Sequence, residues 1–295
     1  MIKIPIPINV YSNYEGYSFF IKLYNDLKDE EFKDVYLDFS DTAWFDANLC
    51  AVLGAIITEI KSNINNVYLI NLKSKVEDVF SKNFFMASFG GSMIMDFNNT
   101  TIKYRRNKID DEQLIKEFIL FELLRKKKFP KLSNAVQIEI IRSIFEIYSN
   151  AVIHGNCDFV YSCGQFYPNN NPPRIDFTIV DLGKSIQKNV NEYLNADLNG
   201  KDAIKWALAA NNTTKPISKN IPGGLGFKII KDFVELNKGK IQIVSGNGYW
   251  EYSNKVESFR DFPKSFQGTI VNIEFNLDDT SIYHFKNENV NDIKF

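Results

Sequence analysis

From Ser133 to Gly155 the chain mixes apolar and polar residues with the period of an α-helix, and this run constrains the fold more than any other. Glu139, Arg142, Glu146 and Asn150 fall on one stripe, while Ile138, Ile141, Phe145, Tyr148 and Val152 fall on the opposite side. Residues four apart share a helix face. Such a helix needs a core for its apolar side and turns its polar stripe toward water or a ligand. Ser133 and Asn134 supply caps for its start. Before it, 110–128 reads DDEQLIKEFILFELLRKKK, acidic at its beginning and basic at its end, so a lead-in helix is expected there, stopped by Pro130.

Three further features follow in order. Arg174 to Val180 alternates as a strand should and ends in Asp181-Leu182-Gly183. Pro222-Gly223-Gly224-Leu225-Gly226-Phe227 leads into the amphipathic run KIIKDFVELNKGK and then the strand IQIVS. Gly268 to Phe275 closes the series with another alternating strand. Singly, each has a bland reading: a solvated stripe, an Asp turn, a flexible loop. Each also has a chemical reading in which its residues would serve a Mg-nucleotide. Asn150 offers a hard oxygen to a divalent ion. Glu146, one turn earlier, is placed to accept a proton. Asp181 is an acceptor suited to a purine amine, and Gly183 lets backbone pass close to a flat ring. Gly223, Gly224 and Gly226 can turn N–H groups toward an anion at a helix start. Lys215, Lys219 and Lys228 are cations available to phosphate.

In this order the motifs resemble the GHKL ATP-binding fold, shared by histidine kinases, anti-sigma serine kinases, DNA gyrase, mismatch-repair ATPases of the MutL type and a class of heat-shock chaperones. The resemblance covers about residues 101–277 and implies ATP and Mg2+ as cofactors. It assigns Glu146 as the base, Asn150 as the Mg ligand, Asp181, Gly183 and Thr269 to the adenine site, and Gly223, Gly224, Leu225 and Gly226 to the phosphates. His154 belongs to the same motif helix, and Lys215 joins the cofactor-binding set. The segment from Lys184 to Ile221 matches the family's mobile lid and contains NNTTKPISKNIPGG, polar and rich in breakers. One departure stands out: relatives read D-x-G-x-G, whereas Ser185 replaces the last glycine here.

The first hundred residues have another texture. A strand at Val35–Ser40, a helix from about Asn48 to Lys61 and a strand VYLINL suggest a small α/β unit. LDFSDTAWFDANLCAVLGAII resembles STAS domains, the fold of anti-anti-sigma factors. Asp46 matches their turn aspartate, but Ala47 occupies the phosphoacceptor position and Asn48 the next, so no hydroxyl is present to phosphorylate. The expected organisation is α/β throughout. It comprises a STAS-like docking or regulatory unit over 1–100, a GHKL two-layer sandwich over 101–277 with a mixed sheet and helices on one face, and a polar tail over 278–295.

Composition sets the outer limits. With 295 residues, 44% hydrophobic content and a net charge of -1, no strongly basic surface is implied, so bulk electrostatic binding of nucleic acid is not expected. The runs Lys103–Lys108 and Arg125–Lys128 read as solvated helix ends. Cys50, Cys157 and Cys163 lack metal-ligand spacing and suit a reducing cytoplasm. Nothing reads as a signal peptide or a membrane span. With only His154 and His284 available, an autophosphorylating histidine kinase is not expected. The resemblance implies a protein partner, whether a STAS-like protein, a sigma factor or another effector, and allows a homodimer. Two outputs remain open: a serine/threonine kinase acting in trans, and an ATP-gated switch or slow ATPase that recruits an effector without phosphorylating it.

Overall fold

The computed structural model describes residues 1–108, 112–126, 129–209, 212 and 225–288. Its N-terminal unit contains β1 (Ile2–Pro5), β2 (Asn9–Val10), α1 (Tyr14–Leu27), β3 (Asp34–Asp38), β4 (Trp44–Phe45), a short 3-10 turn at Ala47–Leu49, α2 (Cys50–Ser62), β5 (Asn66–Ile70), α3 (Ser74–Lys82) and α4 (Phe85–Ser88). Asn13 starts α1 by accepting the Gly16 N–H through its side chain at 2.9 Å. Strands β1, β3 and β5 form a parallel sheet in that order. Parallel neighbours need crossovers, and α1 and α2 provide them.

The second unit holds β6 (Thr101–Asn107), α5 (Glu112–Phe118), a π-helical continuation at Ile119–Leu124, β7 (Lys131–Leu132), α6 (Asn134–Ile153), β8 (Val160–Tyr167), β9 (Arg174–Asp181), α7 (Ile186–Leu194), α8 (Gly200–Leu208), α9 (Leu225–Asn237), β10 (Lys240–Ser253), β11 (Val256–Asn276) and β12 (Ile282–Tyr283). Five of these strands make one sheet in the order β10-β11-β9-β8-β6. Every neighbouring pair in it is antiparallel, which corrects the expected mixed sheet. The physical reason is that β8–β9 and β10–β11 are hairpins, and β11 rather than β10 returns alongside β9.

Strand alternation divides two cores. On β9, Ile175, Phe177 and Ile179 face α6 and α9, together with Ile241, Ile243, Val271 and Ile273 from the neighbouring strands. Val180, Val244, Ile270, Tyr161 and Cys163 point the other way and share a core with Tyr17 and Phe20 of α1 and Cys50, Leu53 and Ile57 of α2. The large sheet is therefore covered by helices on both faces, not one. The layers run small sheet, α1 and α2, large sheet, then α5, α6 and α9. The N-terminal unit does not close a core of its own, since its buried side chains continue into the large sheet.

Two other expectations shift. The buried face of α6 is Val136, Ile140, Ser143, Ile144, Tyr148 and Ala151, whereas Ile138 and Val152 are exposed. Two residues of the apolar side inferred from sequence therefore face water, because the helix is rotated to bring its Ala151 and Ser143 edge onto the sheet. The segment read as a polar tail is partly ordered: β12 pairs with β7, and the Ser133 hydroxyl donates to Glu288 at 2.8 Å. Among the described residues no helix is long and apolar enough to cross a membrane.

Candidate functional site

Helix α6, the ends of β9 and β11, and helices α7 to α9 enclose a cavity of about 200 Å3. Its lining includes Glu146, Asn150, His154, Asp181 and Thr269, which come from three segments widely separated in sequence. Of the polar stripe on α6, only the Glu146–Asn150 end reaches this cavity. Glu139 and Arg142 pair with each other at 3.7 Å on the helix surface instead.

Asp181 is the last residue of β9 and sits opposite Thr269 of β11 in the ladder. Its Oδ1 accepts the Gly183 N–H at 2.9 Å. Burial pushes its carboxyl from the usual range up to about 7, against the backbone hydrogen bonds from Gly183 and Thr269, which pull it down. Burial likewise raises the Cys157 thiol to about 12, with the Asp181 charge adding to the effect, so that sulfur is a poor nucleophile.

Gly183 is needed here for a reason other than room for a ring. A Cβ on it would lie 2.2 Å from the Gly155 carbonyl oxygen, and one on Gly155 would lie 2.3 Å from that of Ala151. The D-x-G turn packs directly on the end of α6, and the Lys184 N–H donates to the Gly155 carbonyl at 2.6 Å. That contact holds Asp181 and the Asn150 helix in fixed relation. Gly183→Ala is expected to cost about 2 kcal/mol, read as a lowered midpoint in urea, because backbone on both sides of the overlap cannot yield cheaply.

Thr269 exchanges a hydroxyl hydrogen bond with Ser245 at 2.8 Å, and Ser245 also accepts the Ile186 N–H at 2.8 Å. The start of α7 is thereby tied to the Thr269 side of the cavity. Ser185 caps α7 by accepting the Lys188 N–H at 3.2 Å. A helix begins there, and a serine cap suits that start better than a glycine would. The stretch read as a breaker-rich lid contains α7 and α8 in its first two thirds. Asn189 of α7 donates to the His154 carbonyl at 2.9 Å, which clips α7 to the end of α6.

Lys215, Lys219, Gly223 and Gly224 lie outside the described residues. Leu225 and Gly226 are the first residues of α9, so the G-G-x-G segment does lead into a helix. Lys228 is exposed on that helix. Sequence reasoning missed Ser245, Asn189, Trp206 and Phe227, all of which build or support the cavity. Trp206 stacks obliquely with Tyr193, and Phe227 with Trp250. An apolar face on WALAA was the only signal available for Trp206. Among the described residues no cluster of three or more His, Cys, Asp or Glu side chains could hold a metal ion. No protein-family model matches the chain, and no curated protein does either.

Proposed function

We propose that the chain is an Mg-ATP-binding regulatory protein of the GHKL type, carrying a STAS-like unit and acting on a separate protein partner in the cytoplasm. The single observation that supports this reading is the convergence of Glu146, Asn150, His154, Asp181 and Thr269 on one cavity. The donor set suits the ligand. Asp181 and Thr269 offer the cavity an acceptor and a hydroxyl by which a purine amine would be read, and Asn150, also in the lining, offers a carboxamide oxygen for a divalent ion. A bound Mg2+ would supply charge neutralisation for the phosphates. Glu146, one turn before Asn150, would accept the proton of an attacking hydroxyl, and this makes a serine/threonine kinase acting in trans the first output to test.

A second reading, an ATP-gated switch with little turnover, is favoured by the burial of Asp46, Ala47 and Asn48 against the large sheet. The turn that resembles a STAS switch is engaged within the chain, directly behind the strands that carry Asp181 and Thr269.

Incubation with γ-labelled Mg-ATP and a STAS-like partner bearing an intact serine separates the two. Transfer of label that falls by a factor of about 100 or more in Glu146→Gln, with ATP still bound, is the result expected of a kinase. Tight binding without label or free phosphate is the result expected of a switch. Asn150→Ala is expected to weaken Mg-dependent ATP binding by about 10- to 100-fold while leaving any metal-free binding in place. Equal affinity with and without Mg2+ in the parent protein would remove Asn150 from that role.

A further inference from the structure

Far from the cavity, the loop joining α4 to β6 exposes four large apolar side chains within five residues: Met93, Ile94, Met95 and Phe97, the last 86% exposed. A soluble surface rarely concentrates apolar side chains in this way without a use for them. The one acid of the run, Asp96, is turned inward, where it accepts the Thr101 N–H at 2.7 Å and the Thr101 hydroxyl at 2.9 Å. The loop is anchored at its other side by the buried Lys126, whose ammonium donates to Asn99 Oδ1 at 2.5 Å and to the Thr101 carbonyl at 2.8 Å.

That anchoring sets the apolar loop at the start of an edge strand whose cations project from both faces of the sheet. Strand β6 is an edge of the large sheet and carries Lys103, Arg105 and Arg106, with Lys108 just beyond its end. The sequence reading took these as a helix end, but they stand along a strand that would extend about 20 Å. Arg106 lies 3.6 Å from the centre of the Phe159 ring, Arg105 4.4 Å from that of Phe118, and Arg125 4.7 Å from that of Phe121, which is itself exposed. Glu122 serves Lys103 and Lys126. Among the described residues no carboxylate pairs with Arg106, Lys108 or Arg125. Stacking on rings holds these charges in place and leaves their outer faces to solvent.

We propose that the Met93–Phe97 loop and the cations of β6 and its neighbouring helix form a surface that docks on an anionic lipid bilayer. The loop enters the boundary between headgroups and acyl chains, and the cations meet the headgroup charge around it. Two features favour lipid over a nucleic-acid strand or a protein groove. Methionine, isoleucine and phenylalanine without an exposed acid suit a fluid apolar phase that needs no shape match, and they give nothing to a phosphate backbone. The cations follow the apolar run along the same sheet edge without interrupting it, which suits peripheral anchoring when neither signal suffices alone.

Flotation of the full chain with phosphatidylcholine vesicles, and with vesicles containing phosphatidylglycerol, tests the proposal at two salt concentrations. Binding is expected to the anionic vesicles alone and to weaken as salt rises. Met95→Ser with Phe97→Ser is expected to reduce partitioning at least about tenfold, and Arg106→Gln or Arg125→Gln about fivefold each. These side chains are exposed, so the variants are expected to keep the parent's thermal midpoint. No binding to anionic vesicles overturns the proposal, as does binding that is indifferent to the loop substitutions. Retention of a single-stranded oligonucleotide through the same arginines without vesicle binding also overturns it, and so does a loop-dependent dimer in solution that leaves vesicles unbound.

Discussion

Asp181→Asn is expected to make the protein more stable at pH 8 and, if the proposed nucleotide site is right, to weaken its hold on ATP. The carboxyl is buried, and burial raises it to about 7 from an ordinary value of 3.8. The folded state therefore binds more protons than the unfolded state between about pH 4 and pH 7, so stability falls as pH rises through that window and levels off above it. Three pKa units correspond to a cost on the order of 4 kcal/mol when the site is empty and Asp181 is ionised. An amide removes that cost. Its Oδ1 can still accept the Gly183 N–H, but its NH2 would face the Thr269 N–H, which returns about 1–2 kcal/mol. The net expectation is a gain of about 2 kcal/mol at pH 8 that disappears near pH 4, measured by urea unfolding at both values.

Binding is expected to go the other way. A purine amine that met a carboxylate would meet a second donor, and a buried donor facing a donor should cost about 100-fold or more in affinity by calorimetry. The parent should also bind ATP more weakly below pH 7, by up to about tenfold per unit, as ionisation of Asp181 becomes linked to binding. The asparagine variant should lose that slope. Unchanged affinity in the variant would place the purine elsewhere in the cavity. A flat profile in the parent would mean that the neutral acid makes the contact.

How much of this was legible in the sequence follows from which forces act locally. The α6 helix, the D-x-G strand end and the closing Gly268–Phe275 strand were readable because caps, alternation and turn chemistry are short-range. The face of α6 was not, since Ile138 is as apolar as Ile140 and only packing on the sheet decides which is buried. Helices α7 and α8 were hidden because their start signals, Ser185 and Asn199, look like loop residues until the N–H groups they cap are known. Gly183 was noticed for room beside a ring, while its close approach to the Gly155 carbonyl is a long-range contact. Antiparallel pairing of β9 with β11 across roughly ninety residues is a long-range fact that no local pattern encodes. The same holds for the cover on the rear of the sheet, where the polar residues of β9, β10 and β11 gave no sign that a second unit would bury them.

That rear contact carries the largest stability effect expected of a single side chain. Asn48 is fully buried at the start of α2, and its Nδ2 donates to Ser12 Oγ at 2.8 Å, to Thr178 Oγ1 at 2.8 Å and, more loosely, to Asn272 Oδ1 at 3.1 Å. The network runs on through Gln242, which accepts from Asn272 at 3.0 Å and donates to the Ser12 carbonyl at 3.0 Å. Asp46 beside it accepts the Ser12 N–H at 2.7 Å and the Trp44 indole N–H at 2.8 Å. Asn48→Ala would leave Ser12 Oγ and Thr178 Oγ1 short of a donor where water cannot reach, while Asn272 Oδ1 keeps the Thr178 hydroxyl at 2.8 Å, so a loss of about 3 kcal/mol is expected. Asn48→Asp should be no milder, because a carboxylate has no N–H to offer Asn272 and would sit close to Asp46. Thr178 and Asn272 are each three residues from the ladder pair Asp181 and Thr269. If the network only glues the layers together, Asn48→Ala should lower the unfolding midpoint and leave ATP affinity per folded molecule unchanged. If the N-terminal unit biases the nucleotide site, affinity should change as well, and a Thr178→Ala background should abolish that change in a double-mutant cycle. The second outcome would make the turn at Asp46–Asn48 a fixed regulator of the site in front of it, working through hydrogen bonds.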